Sequence, residues 1–309
     1  MKDQESKIPQ PTFFSTQGWS DYALLDSGNG RKLERFGNVI LDRPEAEAIW
    51  QPALSLKNWQ NADAVFKSSP EENGGHWEYR HKLPEKWELG YKSLHFWVQT
   101  TPSRHVGVFP EQAPQWDWIG KKIYQTRRPI KVLNLFGYTG IATLAAAASG
   151  AHVTHVDASH KVVMMAKENA QSTHLPETAI RWIVDDAMKF VQREVRRNSR
   201  YDGIILDPPK FGRGPKGEVW EFYKLIPELL RICQAVLNEN PVFIMLTAYA
   251  VKASYLTLFN ALSEVMKKYD GEVQAGEILN IDNSAGRVLS TAIFARWSKD
   301  QNFQEVRHE

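Results

Sequence analysis

From residue 131 onward, short apolar runs alternate with stretches in which apolar residues recur every three to four positions. The runs are 131–136, 152–156, 179–184, 203–206 and 242–246; the helical stretches are 139–149, 159–170, 186–197, 218–237 and 251–268. A strand followed by an amphipathic helix, repeated in this way, predicts an α/β fold with a mostly parallel sheet. Two final runs, 273–281 and 288–297, are joined only by a loop containing Gly286, so they are predicted to pair as an antiparallel C-terminal hairpin. The first part of the chain is different. Residues 22–39 read as two short strands around a Gly28-Asn29-Gly30 turn, with further strands at 77–79 and 93–100. Residues 107–118 read as a loop or short helix, and 121–128 as a charged connector. The predicted organisation is a disordered tail over 1–15, a smaller β-rich α+β domain over 16–125, and the α/β domain over 126–309.

Composition narrows the class without naming an activity. The chain has 309 residues, enough for about two domains. With 42% hydrophobic and 24% charged residues, it reads as an ordinary globular protein. The net charge of +2 does not announce a nucleic-acid binder, so any basic surface must come from placement. A single cysteine, Cys233, excludes an intramolecular disulfide framework and any zinc site built on several thiolates. The polar stretch 1–16 has no apolar core of a secretory signal, and no run is long enough to span a membrane. A cytoplasmic protein is expected. Tryptophan is abundant, with 11 copies, and Trp77, Trp87, Trp97, Trp116 and Trp118 are bunched. They predict either the packing of a small β-rich domain or a base-stacking surface.

In open α/β sheets, ligands sit beyond the carboxyl ends of the strands, where the strand order reverses. Four such ends carry candidate chemistry. The first runs through Asn134, Leu135 and Phe136 into Gly137, Tyr138, Thr139 and Gly140. Its glycines let the backbone approach a ligand, and the next helix offers free N–H groups to a carboxylate. The dinucleotide fingerprint and the phosphate loop are both absent, so a small zwitterion fits better than a pyrophosphate. The second end is Asp157-Ala158-Ser159, where the carboxylate can accept from a ribose diol or cap the following helix. The third is Asp185-Asp186-Ala187, where a carboxylate can accept from an adenine amine or, again, serve as a cap. The fourth is Asp207-Pro208-Pro209-Lys210-Phe211. Its prolines hold the chain extended and remove donors, leaving carbonyls, one carboxylate and a nearby ring to hold a flat acceptor.

Together these ends resemble class I S-adenosylmethionine-dependent methyltransferases, which have a Rossmann-like sheet. More narrowly, NLFGYTG, THVDAS, VDDA and DPPKF are similar to the family that includes the bacterial 23S rRNA large-subunit methyltransferases, with 5-methylcytosine and 7-methylguanine enzymes among them. The resemblance covers roughly residues 90–300 and includes GVFPEQ at 107–112. It implies S-adenosylmethionine as cofactor, bordered by Phe109 and Gln112. Its amino-acid part would lie on Asn134 to Gly140, its ribose on Asp157 and its adenine on Asp186. Asp207 to Phe211 would face the methyl acceptor, with Asp207, Pro208, Lys210 and Phe211 as the catalytic group.

Two features depart from the 5-methylcytosine branch. No N-terminal RNA-binding PUA domain is visible. The stretch after the fifth strand, Met245-Leu246-Thr247-Ala248-Tyr249, also lacks the cysteine nucleophile. Cytosine C5 is a poor nucleophile until a thiolate adds to the ring, so direct transfer to a nitrogen or oxygen is the expected chemistry. Cys233 lies among Leu225, Leu229 and Ile232 at helical spacing and reads as a core thiol. Lys210, Arg213, Lys216 and Arg287 could meet RNA phosphates or simply face solvent. The expected function is methylation of an rRNA-like base. The alternatives are a methyltransferase of a small molecule or protein, and a non-catalytic RNA-binding protein of the same fold.

Overall fold

The computed structural model describes residues 9–69 and 74–299. Of the expected disordered tail, 1–8 lie outside the described residues, and the remainder corrects the expectation. Thr12–Ser15 forms a strand, β1, paired in parallel with the strand at Glu272–Ile281. The match is close: a Cβ on Gly276 would meet the Thr12 carbonyl oxygen at 1.8 Å, so only glycine admits this strand.

Strands β2 (Tyr22–Gly28), β3 (Arg31–Phe36) and β4 (Val39–Pro44) follow as antiparallel neighbours. The β2–β3 connection is the predicted turn, with Asn29 at φ 53° and Gly30 at φ 73° supplying the left-handed conformation. A short helix α1 (Leu56–Gln60) leads to β5 (Ala64–Ser68) and β6 (Gly75–Tyr79), completing a five-stranded sheet. A separate hairpin, β7 (Trp87–Tyr91) and β8 (Leu94–Val98), covers it. Tryptophan packs this region. Trp19 meets Tyr91 and Trp116 edge-on at ring distances of 4.9 and 5.9 Å. Trp77 and Trp87 donate their indole N–H groups to the Thr101 and Phe36 carbonyls. Of the two expectations for these rings, packing is the one seen.

Helix α2 (Ala113–Gln125) overturns the charged connector. Trp116, Ile119 and Ile123 recur at helical spacing and are buried, so the lysines between them conceal an amphipathic helix. It packs on the helix at Ile141–Ala148, and Trp118 stands edge-on to Phe243 at 5.5 Å. Although expected with the N-terminal domain, α2 lies in the helical layer of the large sheet.

That sheet uses β9 (Lys131–Leu135), α3 (Ile141–Ala148), β10 (His152–Asp157), α4 (His160–Ser172), β11 (Ile180–Val184) and α5 (Ala187–Arg196). It continues with β12 (Gly203–Leu206), the ribbon strands β13 (Phe211–Arg213) and β14 (Val219–Glu221), α6 (Phe222–Ala235) and β15 (Phe243–Ala248). Helix α7 (Tyr255–Met266), β16 (Glu272–Ile281) and β17 (Val288–Ser298) close it. Its eight strands run β1-β16-β17-β15-β12-β9-β10-β11, antiparallel only where β17 meets β15 and β16. Strand side chains alternate between faces. Val132, Val153 and Met245 pack towards α2, α3 and the N-terminal core, while Leu133, Leu135, Ile244 and Leu246 pack on the other face with α6 and α7 residues. The order reverses at β9, and its carboxyl end is where a ligand is expected.

The loop between β16 and β17 docks on the N-terminal domain. Asp26 accepts from the backbone N–H groups of Ala53 and Leu54, from the Trp59 indole and from the Ser284 hydroxyl. Asp282 accepts from Ser27 Oγ at 2.7 Å. Arg287, considered above for RNA, donates to the Ser27 carbonyl at 3.2 Å.

Candidate active site

The loop after β9 is held in an unusual shape. Phe136 and Tyr138 have φ of 58° and 49°, a region that costs a side-chain-bearing residue about 1 kcal/mol or more. Contacts on either side hold it there. Phe136 lies against Trp220, ring centroids 4.7 Å apart, and the Tyr138 N–H donates to Asp157 Oδ2 at 2.9 Å. Gly137 lies over His155, where a Cβ would come within 2.4 Å of the imidazole. The Thr139 hydroxyl donates to the Gly107 carbonyl, tying the loop to the segment that enters from the N-terminal domain.

Beneath the loop is a buried polar chain. Asn134 Nδ2 donates to Thr143 Oγ1 at 2.8 Å, and Thr143 Oγ1 lies 2.9 Å from His155 Nδ1. Burial pushes the His155 imidazole down to about 3, so it is neutral at physiological pH. Fixing the Asn134 amide nitrogen in this way leaves the rest of the amide committed to one orientation. Sequence reading missed Thr143 and His155, because their role appears only when β9, α3 and β10 are adjacent.

Asp157 closes β10. Each of its oxygens accepts one backbone N–H, Tyr138 on one and Ser159 on the other, at 2.9 Å. Burial raises this carboxyl and the backbone donors pull it back. An ionised carboxylate has about four lone-pair sites, so capacity for a diol remains. Ser159 caps α4. At the next strand end Asp186 caps α5, accepting from the Lys189 N–H at 2.9 Å, and Asp185 pairs with Arg193. Asp186 takes the capping role left open above, whereas the ion pair of Asp185 was not foreseen; Ala187 is buried in the first turn of α5.

Across the loop, the turn 110–112 aims Gln112 at Asp207. Gln112 Nε2 donates to Asp207 Oδ2 at 3.1 Å, while Asp207 Oδ1 is buried without a partner. Burial, then the charge of the buried Glu111, pushes the Asp207 carboxyl up to about 7, against the Gln112 hydrogen bond. Phe109 stands between Tyr138 and Tyr249, with ring centroids 5.6 and 5.1 Å away. No local sequence signal singles out Glu111 or Tyr249, because their proximity to Asp207 is tertiary.

One cleft collects Phe109, Gln112, Asn134, Phe136, Gly137, Tyr138, Thr139, Gly140 and Asp207, with Trp116, Ile205 and Met245 as apolar walls. Asp157, Ala158, Ser159, Asp185, Asp186 and Ala187 lie outside its lining, along the ends of β10 and β11. Pro208, Lys210 and Phe211 follow β12 directly after Asp207 and are not part of that lining. Cys233 is buried in the α6 core, and burial pushes its thiol up. The cleft thus offers apolar and aromatic walls, backbone at close range, and one carboxylate oxygen free to accept. Such a donor and acceptor set suits an amino-acid zwitterion beside a nitrogen-bearing ring.

Known proteins are similar to this chain in sequence and fold. The profile of the family described as conserved hypothetical protein 95 matches residues 114–274, just over half of the chain. A crystal structure of a SAM-dependent methyltransferase from Agrobacterium tumefaciens is 44% identical, covering 95% of this chain and 96% of that one with a TM-score of 0.90. Ribosomal RNA large subunit methyltransferase I of Escherichia coli is 27% identical over 135 residues, 42% of this chain and 34% of that protein. Ribosomal RNA large subunit methyltransferase K/L of Magnetococcus marinus is 34% identical over 122 residues, 39% of this chain and 16% of that protein. The match therefore spans about a third or less of the length of these curated relatives.

Proposed function

Because the chain belongs to the conserved hypothetical protein 95 family and to the S-adenosylmethionine-dependent methyltransferases, we propose that it methylates a nitrogen of a ribosomal RNA base by direct transfer. S-adenosylmethionine, when bound, supplies a methyl group on a cationic sulfur that a nitrogen lone pair can attack directly. In this reading Asn134, Phe136, Gly137, Tyr138, Thr139 and Gly140 hold the amino-acid end of the cofactor. Phe109 and Gln112 border it, Asp157 with Ala158 and Ser159 receives the ribose, and Asp185, Asp186 and Ala187 flank the adenine. Asp207, Pro208, Lys210 and Phe211 face the acceptor.

The observation that carries the reaction is the partnerless Asp207 Oδ1 beside the cofactor loop. It can accept the N–H of an acceptor nitrogen and orient its lone pair. Held near 7, the carboxyl is also matched to take up the proton released as nitrogen acquires carbon. A ring nitrogen without a proton would need only the positioning. Covalent activation of a pyrimidine carbon needs a thiolate at the site. The single cysteine of the chain lies in the α6 core instead, which supports direct transfer. Proximity and exclusion of water then supply most of the rate.

The RNA assignment is supported by the names of the curated relatives and by the cationic residues that follow Asp207. It is tested by incubating the protein with methyl-labelled S-adenosylmethionine and, separately, ribosomal RNA, total protein and a small-molecule extract. Label in an N-methylated nucleoside is the expected result. Label in a 5-methylpyrimidine would refute the nitrogen, and label confined to protein or small molecules would refute the RNA.

A further inference from the structure

We propose that the outer face of the β13–β14 ribbon is a docking strip for unpaired RNA flanking the acceptor base; the inference rests on the RNA reading above. The ribbon begins at Phe211, immediately after the Asp207-Pro208-Pro209-Lys210 turn. It pairs Phe211 with Glu221, Gly212 with Trp220 and Arg213 with Val219. Directly opposed residues of an antiparallel pair share a face, and successive residues alternate. Phe211, Arg213, Val219 and Glu221 therefore share one face, and Gly212 and Trp220 share the other.

The inner face is fixed. Trp220 is only 4% exposed, its indole donates to the Pro209 carbonyl at 2.6 Å, and its ring lies against Phe136 of the cofactor loop. The ribbon is thereby held in register with the reacting end of the cleft. The outer face has the opposite character. Phe211 is 55% exposed, Val219 47%, and Tyr223, in the next helical turn, 51%. A strip that cannot turn inward, because its other face is already anchored, presents these apolar side chains to solvent beside the site.

Charge identifies the occupant. Residues 210–217 contain Lys210, Arg213 and Lys216 and no acidic residue. The acids that follow are engaged by other cations: Glu218 by Lys189 at 2.5 Å, and Glu221 by Lys224 at 2.7 Å. Exposed rings beside the Arg213 and Lys216 cations suit a strand with bases free to stack and phosphates free to pair. An A-form duplex hides its base faces, so the strip should prefer single strands.

The test measures anisotropy of a fluorescein-labelled single-stranded oligoribonucleotide and of the same sequence as a duplex, across a salt series. The variants are Arg213→Gln/Lys216→Gln and Val219→Asp, all on exposed positions, with thermal melts and S-adenosylmethionine titration as controls for folding and cofactor binding. Wild type should prefer the single strand. Val219→Asp should weaken single-strand binding about tenfold, because it removes apolar contact and sets a carboxylate against the phosphates. The double variant should lower the salt slope by about 1.4, the value for two lost phosphate contacts on a single strand. Melts, cofactor affinity and kcat should stay at wild-type values while KM for RNA rises. RNA methylation with unchanged RNA affinity in both variants, or a preference for duplex, would overturn the strip while leaving the RNA acceptor standing. If wild type neither binds nor methylates RNA, both fail. If methyl transfer goes to a protein and these variants impair it, the strip docks a protein and the RNA inference is wrong.

Discussion

Replacing Asp207 with asparagine removes one titrating carboxyl and leaves the side-chain volume unchanged. In the native chain this carboxyl is pushed from an ordinary 3.8 to about 7, chiefly by burial and then by the Glu111 charge. That difference corresponds to about 4 kcal/mol between the protonated and ionised forms. Its sign is definite. A carboxyl held above its unfolded value binds its proton more tightly when folded. The resulting stability is complete below about pH 4 and is lost as pH rises through 7. Urea unfolding of the cofactor-free protein should therefore show an extra loss of up to about 4 kcal/mol between pH 4 and 8. Asp207→Asn should abolish that component and be more stable than wild type at pH 8. Activity should move the other way. kcat/KM of wild type should rise through pH 7 as the carboxylate ionises, and Asp207→Asn should lose about 10²- to 10⁴-fold in kcat, the range for a general base. Wild-type and variant unfolding curves that stay parallel across this pH range would refute the burial argument. A variant that methylates within threefold of wild type would refute the catalytic one.

Asp157→Ala should weaken S-adenosylmethionine binding by about 10- to 100-fold in calorimetric titration, the scale of one or two charge-assisted hydrogen bonds, while circular dichroism stays native. Unchanged affinity in the folded variant would remove the ribose assignment. Cys233→Ser should retain near wild-type turnover and lose about 1 kcal/mol of stability, because a hydroxyl replaces a buried thiol; an inactive but stable variant would restore a thiol mechanism. Asp26→Ala should cost about 2–4 kcal/mol, because it leaves the Trp59 indole and two backbone N–H groups unpaired and the Ser284 hydroxyl with only Asp282 as acceptor. In wild type, burial of Asp26 is outweighed by these hydrogen bonds, so its carboxyl lies below the ordinary value. That contribution is present above about pH 4 and should disappear on acidification, a loss the variant should not show in acid titration.

Strand ends were the legible part of this chain. Alternating apolar runs located β9 to β12 and β15 to β17 because a strand buried on both faces needs continuous apolar residues, and each amphipathic helix needs one apolar stripe. The glycines after β9 and Asp207 before its two prolines were legible for the same local reason, since each restricts the backbone in its immediate neighbourhood. What was not legible depends on partners distant in sequence. Thr12–Ser15 is four residues long and becomes a strand only because β16 supplies an edge and Gly276 supplies room. In α2, lysines interrupt the stripe of Trp116, Ile119 and Ile123, so the segment reads as charged. The glycines at 212, 214 and 217 give no strand pattern, but Trp220 anchors the segment as a ribbon on Phe136 and Pro209. The capping by Asp186 was an open alternative that helix geometry decided. His155 looked like one more strand residue, and only the approach of Gly137 and Thr143 gives it a place in the site.

The docking of the β16–β17 loop on β2 has a consequence for how the chain is made. Ser27 and Asp282 meet although they are 255 positions apart in sequence, and β1 pairs with a strand from the same distant region. Contacts between parts of the chain so far apart raise contact order and slow folding. On the ribosome, the first domain emerges long before the segment that latches it. Its β2–β6 sheet can form early, but Asp26, Gly276 and the edge for β1 come together only when synthesis is nearly complete. Truncation between residues 246 and 271 would therefore remove this latch and the edge for β1, while the cleft-lining residues and the core that Tyr22 and Phe36 share with Val132 would still be present.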